Sequence, residues 1–534
     1  MYLSKYAVPH KGSIMSELLI TRGSHFFKVT RISARANPII ISFAKQFIQY
    51  SVMRQGGRYA RTAVKVFAAA TGDRSEYRFH INTFTKFKQH LEANFLSLDL
   101  VEIIDLPIPE ACKVNFEIMP HWKDKDYQVP VIEYLSNTNF TPIDKPPTPD
   151  TIPRAKFLNL RTGLGKSYSS MRTMQIIGER TVIVVKPKYI EKWVDDMRRT
   201  FVLDPSDIIV VRGSDQLKAL LEVSQYSDFS AKVIIISNKT MYNYLDYYEK
   251  FGASMLDLGY GCVPEDLWKH LGAGIRLIDE VHEDFWLNYK ISLYTNIKMS
   301  LSLSATLVAD NDFLNRMYEI AYPAFLRYKG PAGNKYIDTT AVFYRLKYPN
   351  KIRYMDVSNK NYSHHVFEQS ILRNKELTAN YFGLIRRSID GTYGANYKEG
   401  HKCLIFCISI DMCTKLTEYL RSIYTDKDVR RYVEGDPWEN LMEAEICISS
   451  LQKAGTGVDI DKLSTAILTI AVSSTQSNLQ SFGRLREMKD DTNPNFVYFV
   501  CEDIRKHIEY HERKRVMLDD RMHKYNSISI SNLL

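Results

Sequence analysis

The chain has 534 residues, 45% of them hydrophobic and 25% charged, ordinary globular values with length enough for two to four domains. No apolar run approaches the roughly 18–20 residues that cross a bilayer. The opening MYLSKYAVPHKGS lacks the apolar centre of a secretory signal, which argues against membrane and exported classes. Charge is uneven: residues 1–90 hold 15 Lys+Arg against 3 Asp+Glu, a net +12, while the whole chain is +10. The seven cysteines form no CxxC pair, and Cys403 and Cys407 sit in the apolar run KCLIFCIS. They read as reduced core residues of a cytoplasmic protein rather than as zinc ligands.

In chain order, residues 1–115 alternate apolar and polar runs and predict a small, basic α+β accessory domain. Its densest part is YSVMRQGGRYARTAVKVF, with Arg54, Arg58, Arg61 and Lys65 around Tyr50 and Tyr59. Arg58 and Arg61 have helical i, i+3 spacing, so one helix face would lie along phosphates. A solvated basic face without a partner is the alternative. Residues 116–310 predict a first α/β domain, 311–510 a second, and 511–534 a charged tail. Residues 136–153 hold 5 of the 19 prolines and predict an exposed loop. Residues 248–261 and 386–400 also read as loops, and 310–335 as an inter-domain connection.

AKFLNL reads as a buried strand, and the chain turns helical again by Met171. Between them Arg161, Thr162, Gly163, Leu164, Gly165, Lys166 and Ser167 make a phosphate loop: glycines let backbone N–H groups face phosphate oxygens. Lys166 would neutralise the β- and γ-phosphates of ATP, and Ser167 would bind Mg²⁺. Leu160 stands where the strict pattern has its first glycine. Further on, LIDEVH places Asp279 and Glu280 at a strand end, 113 residues after Lys166. Two buried acids there are costly unless compensated. Asp279 would hold the metal and Glu280 would deprotonate the attacking water. The apolar runs TVIVV, DIIVV, KVIIIS and IRLI, then AVFY, KCLIFC, EICISS, TAILTI and FVYFVC, alternate with helical stretches, the pattern of parallel sheets. In QSFGRLRE, Gln480, Arg484 and Arg486 would start a helix, with an arginine stabilising charge on the γ-phosphate from a second domain. Trp193 and Trp286 read as core.

The ordered series LRTGLGKS, VVKPKY, LIDEVH, SLSAT, LIFC, SSLQKAGTGVDI and QSFGRLRE resembles the superfamily 2 helicases, over roughly residues 120–510. The GTGVDI and GRLRE segments are most similar to compact viral enzymes, the phage UvsW-type branch-migration helicases and the poxviral transcript-release helicase. The resemblance implies two tandem RecA-like domains. It implies that Gln128 reads adenine with Tyr127 as stacking partner, and that Pro187, Lys188, Ser237 and Lys239 touch nucleic-acid backbone. It further implies that Ser304, Ala305, Thr306 and His282 couple hydrolysis to domain movement, and that Gly457 and Asp459 join the ATP site. The family's GRxxR spacing is shortened here, because residue 487 is glutamate. The expectation is an ATP- and Mg²⁺-dependent motor on duplex or branched DNA, working with viral replication or recombination proteins in a host cytoplasm. An RNA-directed or transcription-coupled motor, and a nucleotide-gated binding protein without turnover, stay open as alternatives.

Overall fold

Strands buried on both faces of a parallel sheet are written as unbroken apolar runs, and helices cover those faces. The computed structural model describes residues 16–534 other than 56–57, 143–144, 146–147, 149–151, 161–163, 227–228, 306, 308, 310, 331–334, 358–360, 455–459, 489, 491, 520 and 531–532. It describes backbone alone at 51–55, 58–63, 226, 329 and 475–476. Arg161, Thr162, Gly163, Thr306, Gly457 and Asp459 therefore lie outside the described residues, as do the side chains of Arg54, Arg58 and Arg61. Among the described residues, no helix is long and apolar enough to cross a membrane.

Two seven-stranded sheets organise the chain. The first runs Ile208–Val211, Val233–Ser237, Thr181–Val185, Ile275–Ile278, Met299–Ser304, Ala155–Asn159, Arg327–Lys329. The second runs Val429–Tyr432, Ile446–Ser450, Lys402–Cys407, Leu463–Leu468, Asn495–Cys501, Ile337–Tyr344, Met522–Ile530. Every neighbouring pair in both is parallel. Numbered along the chain within each sheet, both read 3-4-2-5-6-1-7. The same α/β topology occurs twice: these are two tandem RecA-like domains. Period-two alternation divides the second core, with Cys403, Ile405 and Cys407 in one apolar cluster and Leu404 and Phe406 in another.

Boundaries differ from the sequence reading. The chain separates into compact units at residue 330, not 310, because helix Asp312–Ala321 and strand Arg327–Lys329 belong to the first domain. Residues 511–534 are no tail: helix Arg505–Leu518 leads to Met522–Ile530, which pairs along the whole of Ile337–Tyr344. An edge strand buries only part of its surface and needs no apolar run, so SISI passes for a polar end. Residues 248–261 continue helix Asn238–Phe251 into a 3₁₀ stretch, and 386–400 extend helix Lys375–Ile389.

The N-terminal part is α+β. Its sheet runs Ala69–Ala70, Tyr77–His80, Phe26–Thr30, Leu18–Arg22, Val101–Asp105, covered by helices Ala36–Ala44 and Phe84–Ala93. Phe27, Phe43, Phe47, Phe79, Phe84 and Phe87 form its centre, with ring centroids 5.0–5.8 Å apart. It packs within the same compact unit as the first RecA-like domain. Buried Arg78 bridges Glu76 and Glu265, at 2.5 and 2.7 Å, and Lys28 joins Glu265 at 2.7 Å. Ser24 N donates to Asn296 and Ser24 Oγ accepts from Ile297 N. Part of the basic excess is thus used for docking. The expected basic helix is instead a two-stranded ribbon, Ile48–Gln55 against Arg58–Val66, pairing Arg54 with Tyr59 and Val52 with Arg61. The helix on which that arginine face was expected is therefore replaced by strand at positions 58 and 61.

One buried acid gives the second domain a pH signature. Glu368, fully buried, accepts from Ile408 N, Ser409 N and Ser409 Oγ at 2.7–2.9 Å. Burial pushes its carboxyl up to about 7, against those hydrogen bonds. Between the unfolded value near 4.5 and about 7 the native state keeps a proton that the unfolded chain has lost. Stability contributed by this group is therefore full below pH 4.5 and falls as pH rises to 7, by up to roughly 3 kcal/mol. Urea titrations from pH 5 to 8 should show a stability slope that Glu368→Gln flattens. An identical slope in the variant refutes the assignment.

Candidate functional site

The phosphate loop leaves strand Ala155–Asn159 and enters helix Lys166–Ile177, whose first-turn N–H groups are the natural seat of an anion. Gly165 caps that helix at φ +77°, a left-handed conformation that favours glycine. A Cβ there would lie 2.2 Å from Gln128 Nε2, so Gly165 also makes room for the Gln128 amide. Lys166 is buried and donates to Leu160 O at 3.3 Å; Ser167, next on the helix, is half-buried. Leu160, in place of the usual glycine, packs into the core where Gly330 leaves space for it.

Gln128 caps helix Val129–Ser136, is 4% exposed, and accepts from Lys125 N at 3.1 Å. Half-buried Tyr127 lies beneath the Lys125 ammonium. The other end of this helix is tied to the phosphate-loop strand. Lys156, 1% exposed, donates to Tyr134 O at 3.1 Å, Leu135 O at 2.7 Å and Asn137 O. Three carbonyls at a helix C-terminus are the orphan acceptors of that helix, and burial holds the Lys156 amine down to about 7. Lys156→Met should strand all three and destabilise the first domain by about 2–3 kcal/mol. Urea unfolding followed by tryptophan fluorescence reads this domain, which holds Trp122, Trp193, Trp268 and Trp286. A midpoint equal to wild type would show that the carbonyls find other partners.

Asp279 directly follows strand Ile275–Ile278 and is 7% exposed. Its Oδ1 accepts from Glu280 N at 2.9 Å and its Oδ2 from Trp193 Nε1 at 3.1 Å, with Lys192 Nζ 3.8 Å away. Trp193, read from sequence as core alone, is fully buried but also orients this carboxylate; a buried indole N–H needs an acceptor, which is the signal that could have found it. Trp286 is half-buried and donates to Val66 O. Burial raises Glu280 above the usual carboxylate range, opposed by the Lys166 charge and reinforced by Asp279. Its backbone is left-handed at φ +46°, costing a non-glycine residue roughly 1–2 kcal/mol.

His282 Nδ1 lies 2.6 Å from Ser304 Oγ and 3.4 Å from Glu280 Oε2. Burial holds its pKa down to about 4, so the ring is neutral at pH 7. Its Nε2 is buried and has no partner among the described residues. Ala305 follows Ser304 at the end of strand Met299–Ser304.

The neighbouring acids Glu283 and Asp284, which the sequence reading passed over, hold the lysines beyond strand Thr181–Val185. Glu283 meets Lys186 and Lys188, each at 3.1 Å, and accepts from Tyr189 OH at 2.7 Å. Burial pushes Glu283 up, but the Tyr189 bond and the Lys188 and Lys186 charges outweigh it and hold it low. Asp284 meets Lys186 and accepts from Asn238 Nδ2, both at 3.2 Å. Pro187 and Lys239 are exposed, whereas Ser237 is 2% exposed.

In the second domain, helix Thr475–Phe482 carries Gln480 near its end. Arg484 and Arg486 lie after the helix, not at its start as the sequence reading had them. Arg484 is 5% exposed; Arg486 is half-buried and donates to Gly483 O and Leu485 O, turning back on the helix C-terminus.

No family model matches the chain. No curated protein matches it. Among solved structures, it is similar to a variant of S. cerevisiae Dbp5 bound to RNA and ADP BeF3, at 11% identity and a TM-score of 0.48, over 76% of this chain and 90% of that one. For S. cerevisiae Dbp5 bound to RNA and ADP BeF3 the identity is 10% and the TM-score 0.47, over 77% of this chain and 90% of that one.

Proposed function

We propose that the chain is an ATP-driven nucleic-acid motor of the superfamily 2 helicase kind. The observation that carries this reading is the grouping of Lys166, Asp279 and Glu280 at the C-terminal ends of one parallel sheet, with Lys166 close enough to act electrostatically on Glu280. In the mechanism, N–H groups of the Lys166–Ile177 helix and the Lys166 ammonium take the ATP phosphates. Gln128, seated against Gly165, meets the adenine edge, with Tyr127 beside it. Glu280, whose proton affinity is raised by burial, accepts the proton of the attacking water. Ser167 Oγ and Asp279 offer hard oxygen donors that fit Mg²⁺, which usually takes one or two carboxylates plus substrate phosphates. When bound, the ion would neutralise charge on the β- and γ-phosphates. His282 and Ser304 transmit the state of this site along strand Met299–Ser304. Gln480, Arg484 and Arg486 supply the second domain's share.

The substrate in this reading is DNA, duplex or branched, gripped through sequence-independent phosphate contacts by the Ile48–Val66 ribbon and by Lys188 and Lys239. The setting is the remodelling of viral replication or recombination intermediates in host cytoplasm. ATPase rates with no nucleic acid, single-stranded DNA, forked DNA and RNA test the reading. Stimulation by forked DNA above RNA is the expected result. Stimulation by RNA alone would overturn the DNA assignment, and no hydrolysis under any condition would overturn the motor itself.

A further inference from the structure

Lys186 and Lys188 leave the C-terminal end of a central strand, where parallel sheets present their ligand sites. Their ammonium groups, the Tyr189 hydroxyl and the Asn238 amide all converge on two carboxylates, Glu283 and Asp284. Carboxylate and phosphodiester oxygens are interchangeable to such donors. The lysine side chains are 26% and 45% exposed, so an incoming phosphate can reach them. The acids belong to a segment bounded by two left-handed non-glycine residues, Glu280 at φ +46° and Asp284 at φ +54°. Such conformations persist only where the surroundings over-determine them. Here the ion pairs fix the distal end, and Glu283 N donates to Glu280 O at 2.8 Å, tying the acidic pair to the backbone of Glu280.

We propose that Glu283 and Asp284 are displaceable phosphate mimics: they fill the site at Lys186, Lys188 and Asn238 that the motor reading gives to nucleic-acid backbone. A phosphate entering it displaces the acids, frees the 280–284 segment and resets Glu280 for hydrolysis. This rests on the motor reading above. Glu283 and Asp284 act as positioning residues: through their ion pairs and the Glu283 N–Glu280 O bond they hold the turn that carries Glu280. The arrangement gives ATP turnover a built-in dependence on phosphate occupancy roughly one turn of chain away.

The test uses the full chain, a fluorescent oligo-dT about 20 nucleotides long, and hydrolysis rates with and without it. The Glu283→Gln/Asp284→Asn double variant should bind the oligonucleotide at least tenfold more tightly. Its unstimulated rate should rise, so that the stimulation ratio falls at least threefold. Lys186→Met/Lys188→Met should bind at least tenfold more weakly. If the acidic double variant loses its thermal transition, Asp284→Asn alone carries the test, with threefold tighter binding expected. A stimulated wild type alongside acidic variants with wild-type affinity and ratio overturns this inference and leaves the motor reading standing. A wild type that hydrolyses ATP but neither binds the oligonucleotide nor responds to it overturns both.

Discussion

Lys166→Ala is expected to abolish ATP hydrolysis, lowering turnover by at least a hundredfold while nucleic-acid binding persists. The ammonium is buried beside the helix N-terminus, with no second cation of the described phosphate loop to replace it, and its charge acts on Glu280. Losing a positioned charge at the transferring phosphoryl group costs about 3–4 kcal/mol of transition-state stabilisation. Glu280→Gln gives the informative contrast. Asp279, held by Trp193 and by the Glu280 backbone N–H, keeps its place in that variant. ATP should therefore still bind while hydrolysis stops for want of a base. Equilibrium binding of a fluorescent ATP analogue separates the two variants: weak for Lys166→Ala, near wild type for Glu280→Gln. Full turnover in Lys166→Ala would remove the ATPase reading, and failed nucleotide binding in Glu280→Gln would remove the role given to that carboxylate.

The second large effect concerns the arginines. With Arg484 and Arg486 beyond the helix end, the lost residue of the shortened motif does not rotate a helical side chain; it shortens a turn. Arg484 is buried and its neighbour Leu485 lies in the core, so removing its side chain is expected to disturb the domain as well as turnover. Arg486 is half-buried and bonded to backbone carbonyls, an arrangement that a γ-phosphate with full negative charge can outcompete. Arg486→Ala is expected to leave nucleotide affinity nearly intact and to cut kcat at least tenfold, about 1.4 kcal/mol or more. Arg484→Ala should lower both kcat and Tm. Steady-state kinetics with melting curves decide between them. Normal kcat in Arg486→Ala with a dead but stably folded Arg484→Ala would give the γ-phosphate contact to Arg484 instead of Arg486.

How much was legible follows from burial. TVIVV, VIIIS and IRLI are covered on both faces, so apolar composition alone marks them. Arg327–Lys329 and Met522–Ile530 are edge strands with wet surfaces, and nothing in their residues separates them from loops. The basic ribbon was misread because Arg58 and Arg61 match a helical spacing; Val52, Thr62, Val64 and Val66 around a Gly-Gly pair favour paired strands on propensity. The proposed site residues Lys166, Asp279 and Glu280 stand out in the sequence because phosphate and metal chemistry constrains residue type and spacing together. Trp193, Lys156, Glu283 and Asp284 act through distances across the fold, between residues 19 to 98 positions apart, and no local pattern encodes them.

The shared 3-4-2-5-6-1-7 order has a consequence for synthesis. Among the described residues, strand Ile337–Tyr344 pairs with Asn495–Cys501 and Met522–Ile530, both made at the end of the second domain. An apolar strand thus leaves the ribosome and waits about 150 residues for its first neighbour, roughly 8–30 seconds at ordinary elongation rates. Throughout that interval its unpaired edges are open to other nascent chains. Ribosome-bound intermediates should accordingly show no folding force from the second domain until Cys501 has emerged, and slower growth temperatures should favour soluble yield. Force appearing as soon as Leu468 has emerged would mean that the domain consolidates without its first strand.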